Sequence, residues 1–346
     1  NQFNENAFTF GSVSTLYSYM YIKSDDWGTI NLGQLSPASD NPAVLADISG
    51  TVIESNAVIF EGASFFLRPE GGKGTYAGLN ALTWGSFAQC AGLAPTAAGI
   101  GTDCFGGAQD AIRYDSPTFG GFRFETSYGT NDLTGPAFGI TTPNASFWDI
   151  AVMYNDDWGD FKVSGAYAYT WQETAAASIL NPNTGPSSGS LHQVGATLMH
   201  APTGLGVYGL YQQEQAGNLP DTDAFYVKPF IKRTWNPLGA TVFYGEWAKY
   251  NNQYATLWQV DQCATLGNVA GTRTGNFCAA SGTATEQLFV TGSEIERWGL
   301  GAVQEIDAAA MHVWARWQNM GLDVDYSGIN ANGNRRDVKQ GYEDWN

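Results

Sequence analysis

Residues 161–171 read FKVSGAYAYTW, and their spacing decides the fold. Phe161, Val163, Tyr167, Tyr169 and Trp171 fall on one side of an extended chain, and Lys162, Ser164, Ala166, Ala168 and Thr170 on the other. A helix would scatter both sets around its axis, so the segment is predicted as a strand. The same period of two recurs along the chain. It sets Ile30 and Leu32 against Thr29, Asn31 and Gly33, Ile112 and Tyr114 against Arg113 and Asp115, and Phe122, Phe124 and Tyr128 against Arg123, Glu125 and Ser127. Met311, Val313, Ala315 and Trp317 likewise oppose His312, Trp314, Arg316 and Gln318.

A soluble β-sandwich alternates too, because one face meets a core and the other meets water. Here the polar face mixes small and charged residues, and the apolar face carries Tyr or Trp near strand ends. That pattern suits a wet lumen on one side and an aromatic girdle on the other. The connections point the same way. Short links near 24–28, 116–121, 155–160, 200–204, 234–238 and 306–309 alternate with longer ones at about 36–110, 130–146, 172–190, 215–222, 250–293 and 320–341. In an up-and-down barrel every second connection lies at the same end, which sorts loops by length in this way. Twelve strands are expected between about 15 and 322, and 341–345 would start a thirteenth.

Composition agrees. Aromatic residues make up 14% of the chain and charged residues only 14%, with 42 glycines. No apolar run is long enough for a membrane-spanning helix, but a barrel shows lipid only every second residue. The net charge of −17 excludes nucleic acid as a partner, since phosphate binding needs a basic surface. Cys90 and Cys104 share one small-residue stretch and Cys263 and Cys278 another, with no metal-ligand spacing or nearby His. Two local disulfides in long loops are expected, in an oxidising compartment; pairing between the two stretches stays open. No metal site is expected, although turn acids such as Asp25-Asp26 and Asp156-Asp157 are candidates for calcium. His192, His200 and His312 sit in separate strand-like segments and form no catalytic spacing, so an enzyme is not expected. Gly71-Gly72-Lys73-Gly74-Thr75 lacks the full phosphate-loop pattern.

Three stretches carry a family resemblance. YSYMYIKSDDWGTINLGQLS at 17–36 resembles the hairpin before the constriction loop of alphaproteobacterial outer-membrane porins. AIRYDSPTFGGFRFETSYG at 111–129 resembles the hairpin after it, and WGLGAVQEIDAAAMHVWARWQN at 298–319 the penultimate strand pair. The resemblance implies an all-β, transmembrane, antiparallel up-and-down β-barrel of 16 strands. It would be a homotrimer in outer-membrane lipid and lipopolysaccharide, passing small hydrophilic solutes by diffusion. Residues 15–24 would be the fourth strand and 309–322 the fifteenth. Residues 1–346 would then form one barrel domain lacking about three N-terminal strands and most of the last strand.

On this reading, residues 36–110 form a constriction loop folded into the lumen. Its acids Asp40, Asp47 and Glu54 face a basic wall of Arg113, Arg123, Lys162, Lys228 and Arg316. Opposed charges across a narrow passage set up a transverse field that orients dipolar solutes. The alternatives are a solute-specific porin for sugars or anions, and a secreted β-sandwich that binds carbohydrate.

Overall fold

The computed structural model describes residues 17–52, 55, 67, 84–88, 108–131, 145–174, 187–216, 221–253, 276–278, 287–329 and 335–345. Each alternating segment forms a strand: β1 (Ser18–Ser24), β2 (Gly28–Leu35), β3 (Gln109–Asp115), β4 (Phe122–Asn131), β5 (Ala145–Trp158), β6 (Phe161–Thr174), β7 (Ser187–His200), β8 (Leu205–Ala216), β9 (Thr222–Asn236), β10 (Gly239–Asn251), β11 (Asn276–Cys278), β12 (Gln287–Ile306), β13 (Met311–Ile329) and β14 (Arg335–Trp345). Thirteen of them follow one antiparallel, up-and-down path in chain order, and the short β11 pairs only with β12. A single-turn helix, α1 (Pro42–Leu45), interrupts the long link after β2, with Pro42 at its first position, where a missing N–H costs nothing. The sheet's edges, β1 and β14, do not pair with each other among the described residues.

Burial is inverted relative to a water-soluble sandwich. On β6, Ser164, Ala166, Ala168, Thr170 and Gln172 are buried, whereas Phe161 and Tyr167 are exposed. On β4, Glu125 and Ser127 are buried and Phe122, Phe124 and Tyr128 are exposed. Cross-strand pairing extends each face around the sheet, so Ile30, Ile112, Val152, Val194, Val207, Phe243 and Leu300 join one continuous apolar surface. Soluble monomers rarely expose so large an apolar patch; hydrocarbon is the solvent that accepts it. No helix among the described residues is long and apolar enough to cross a membrane. Leu300, 61% exposed and well inside β12, tests the assignment. Leu300→Arg should cost about 2–4 kcal/mol of folding stability in lipid vesicles, measured by denaturant unfolding; an unchanged midpoint would place that face in water.

Aromatic contacts on the outer face gather in two bands. Near the short turns, Phe122 meets Tyr154 at 4.5 Å, Phe161 meets His200 at 5.0 Å and Trp235 meets Phe243 at 5.5 Å. Towards the long links, Trp148 meets Tyr169 at 5.2 Å, Phe225 meets Trp247 at 5.6 Å and Trp298 meets Trp317 at 4.6 Å. Two such girdles flanking an apolar belt match the two interfaces of a bilayer.

Two expectations about connections need correction. The link expected at 320–341 shrinks to 330–334, because β13 runs to Ile329 and β14 begins at Arg335. Above the apolar belt the two faces exchange character. Met320, Leu322 and Val324 are buried inside, and Asp325 is exposed outside. A strand read by its apolar outer face therefore seemed to stop where it only leaves the lipid. The expected link at 250–293 also contains β11, whose residues 276–278 pair with 287–289.

Candidate functional site: a loop pinned across the polar face

The chain after β2 turns onto the polar face and crosses it strand by strand. Ser36 first accepts a hydrogen bond through its carbonyl from Arg113 of β3, at 3.0 Å. The Ala38 N–H donates to Ser127 Oγ of β4, and the Ser39 N–H and hydroxyl both donate to Asp149 of β5, at 2.8 and 2.7 Å. Thr170 of β6 donates to Ser39 Oγ at 2.7 Å. Further along, Thr197 of β7 donates to the Ala46 carbonyl and Tyr208 of β8 to the Ala43 carbonyl, at 2.7 and 2.9 Å. Lys228 of β9 and Glu246 of β10 complete the crossing through Asp47 and Ser55.

Two features let the loop lie this close. The wall beneath it is small: at Gly195 a Cβ would stand 2.0 Å from the Ala43 carbonyl oxygen. Within and just after α1 the buried residues are the small or compact Pro42, Ala43, Val44 and Ala46, while Leu45 is exposed. Asp149 shows how a buried charge is tolerated, since its carboxylate accepts from the N–H and hydroxyl of both Ser39 and Ser127.

Two ionic clusters frame the loop. In the first, Arg113 reaches Asp115 at 2.6 Å and Glu125 at 2.5 Å, and Arg123 reaches the other oxygen of Glu125 at 2.7 Å. In the second, Lys228 pairs with Asp47 and donates to Thr51 Oγ1 at 2.7 Å and the Ser55 carbonyl at 2.9 Å. Beside it, Arg297 pairs with Glu246 at 3.0 Å, and Gln318, Tyr226 and Ser55 also donate to that carboxylate. Lys228 and Asp47 side chains are 0% and 2% exposed, so their charges are spent on each other.

The expected wall residues take different stations. Arg113, Arg123, Lys162, Lys228 and Arg316 all share the polar face, as their registers with Asn31, Met153, Met199, Tyr208 and Gly301 require. Arg113 sits under the start of the loop, Lys162 is exposed beside a short turn, and Arg316 lies over the Trp314 ring. Asp40 lies on the loop beside Ser36 and Asn41, which donate to it. Asp110, expected in the loop, belongs to β3 on the outward face, opposite Gln34. Glu54, Cys90, Cys104 and Cys263 lie outside the described residues, and Cys278 falls in β11. Among the described residues no cluster of three or more His, Cys, Asp or Glu could hold a metal.

Asp149, Glu246, Arg297 and Ser55 were not singled out from the sequence. Asp149 left one trace, an acid on the small-residue face of a strand beside Ala151. Ser55 left none.

Burial holds the Asp40 carboxyl above its usual value; the Ser36 hydrogen bond and Arg113 charge oppose this, and the Asp149 charge adds to it. A carboxyl that protonates more easily docked than released stabilises docking fully below the released group's value, about 3.9. That contribution fades as pH rises through the docked value. Proteolysis within 36–55 should therefore speed up in the wild type relative to Asp40→Asn as pH climbs from about 4 to neutral. A constant ratio would show that Asp40 does not couple to docking.

The Gram-negative porin family matches residues 1–303. No individually curated protein matches the chain significantly. The match spans the strands from β1 into β12 and the loop laid across their polar face. With an apolar belt outside and a polar wall inside, the chain belongs to the Gram-negative porins, the strand-built channels of the outer membrane.

Proposed function

We propose that the protein is a general-diffusion porin of the alphaproteobacterial type, a trimer in outer-membrane lipid and lipopolysaccharide that passes small hydrophilic solutes and ions. The observation that carries this reading is that residues 36–52 and Ser55 are pinned by hydrogen bonds and one buried ion pair across the polar wall from β3 to β10. A loop fixed in that place narrows a lumen without closing it. The eyelet forms where the loop's start, with Asp40, faces Arg113, Arg123 and Glu125. Asp47 and Lys228 hold the loop in place, while Lys162 and Arg316 lie along the wall away from the narrowest point.

In this reading the wall closes as a 16-stranded cylinder, and 36–110 is its inserted loop. Local disulfides, Cys90 with Cys104 and Cys263 with Cys278, brace the long links. Detergent-extracted protein should run as a heat-dissociable trimer and form stepwise, long-lived conducting channels in planar bilayers. A general channel keeps its current in millimolar sugar, whereas a solute-specific one is blocked at micromolar to millimolar substrate. A monomer soluble without detergent, giving no conductance, would refute the proposal.

A further inference from the structure

Arg233 is a cation that faces away from the polar wall. On β9 the outward positions run Val227, Pro229, Ile231, Arg233 and Trp235, so the apolar belt gives way at Arg233. Ile231 pairs with Phe243, and Arg233 pairs with Thr241, one outward step nearer the short turns. β9 lies between β8 and β10 inside the sheet, so the exposure of Arg233 is not that of an edge strand. Among the described residues it has no carboxylate partner. Lys249, outward at the other girdle on β10, does have one, Glu294 at 2.8 Å. The polar groups nearest Arg233 in register are occupied with one another. Thr241 and Asn236 both donate to Gln304 Oε1, at 2.6 and 2.8 Å. An outward cation without a counter-charge is tolerated at the interface, where headgroups solvate it, and not in hydrocarbon.

The surroundings give this cation a chemistry. Its stem lies against the turn before β8, where a Cβ on Gly204 would stand 2.9 Å from Arg233 Cγ. Two residues on, the Trp235 ring lies 5.5 Å from Phe243, and its indole N–H has no acceptor among the described residues. Arg233 and Trp235 therefore bring two unused donor groups to one face, at the depth of the aromatic girdle. Above them, towards the belt, Phe243 and Leu205 are each at least half exposed. Further along β10, Gly245 has no side chain and leaves a shallow slot between Leu300 and Pro229, which a Cβ would meet at 3.4 and 4.0 Å. Donors below and a bare apolar track above match the two ends of one lipid.

We propose that Arg233 and Trp235 hold the phosphate of an anionic glycerophospholipid, with one acyl chain lying along Phe243 towards Gly245. Short turns face the periplasm in barrels of this kind, so the lipid belongs to the periplasmic leaflet. The guanidinium fork takes two phosphate oxygens, and the indole N–H takes a third. Free phosphate meets the same donors but gains nothing from the apolar track, so the site selects a lipid. The proposal rests on the barrel standing in a membrane and holds whichever solutes pass through it.

The test uses the intact protein in non-ionic detergent, with dioleoylphosphatidylglycerol as the probe and bound lipid counted by native mass spectrometry. Galactosyl dioleoylglycerol, with the same chains and no phosphate, and inorganic phosphate are the comparisons. Wild type should retain phosphatidylglycerol through a detergent wash that strips the galactolipid, and millimolar phosphate should not displace it. Arg233→Gln should raise the phosphatidylglycerol concentration for half-occupancy about tenfold, the scale of a lost charge-assisted partner. Arg233→Lys keeps a point charge without the fork and should fall between the two; it is the deciding variant if the glutamine protein does not fold. Trp235→Phe keeps a ring without the N–H and should weaken retention about threefold. Lys249→Gln, which removes a lysine already paired, should change nothing. Retention unchanged by the Arg233 substitutions, equal loss in Lys249→Gln, equal retention of the galactolipid, or displacement by inorganic phosphate overturns the site. A wild-type protein that stays soluble without detergent would instead refute the membrane placement itself.

Discussion

Lys228→Met is expected to free the inserted loop while leaving the barrel standing. The ammonium is fully buried, pairs with Asp47, donates to Thr51 and to the Ser55 carbonyl, and lies 5.7 Å from the rings of both Tyr208 and Tyr244. Removing it strands the buried Asp47 carboxylate without its ion-pair partner, a loss of about 3–5 kcal/mol for buried pairs. The loop can escape that cost by detaching, because only its own contacts hold it to β9. Single-channel current should therefore become larger and noisier, and protease should cut within 36–55, while the heat-stability of the barrel changes little. The double variant Lys228→Met with Asp47→Leu removes both charges together and should recover much of the docking, as replaced buried pairs do elsewhere. A single variant with wild-type current and protease resistance would show that the pair does not hold the loop.

Gly195→Val should have a comparable effect for a steric reason. The new Cβ would stand 2.0 Å from the Ala43 carbonyl oxygen, and that neighbour is backbone, which cannot rotate aside. Overpacking of this kind costs about 1–3 kcal/mol. The same carbonyl accepts the Tyr208 hydroxyl at 2.9 Å, so lifting α1 also unpairs a buried phenol, at about 1–3 kcal/mol more. Gly209→Ala is the control, because its nearest neighbour is the Tyr226 carbonyl at 3.9 Å, an ordinary contact. Chemical denaturation and single-channel current should both separate the two variants. Equal behaviour would mean that α1 does not rest on β7 as described.

Much of the wall was legible before any coordinate. The alternation at 161–171 predicts β6 and assigns Tyr167 and Ala168 to opposite faces, and the structure exposes the first and buries the second. Short links at 24–28, 116–121 and 200–204 mark hairpins that are present. The reading failed where its premise lapsed. Met320, Leu322 and Val324 turn inward above the lipid, and there an apolar stripe no longer means the outside. The inserted loop was legible as a long acidic link, and Arg113 as its neighbour on the wall. Its anchoring was not. Asp47 and Lys228 were assigned to opposed surfaces with the right signs, yet nothing local could say that they meet.

Within the apolar belt the amino-acid sequence alone determined which residues face lipid and which face the interior, because side chains on a strand alternate with a period that two or three neighbours suffice to reveal. Only the tertiary structure decided which interior residues touch the loop. Lys228 and Asp47 stand 181 positions apart and Asp149 and Ser39 stand 110 apart. Such contacts follow from the sheet's register and curvature, which no short stretch of chain contains.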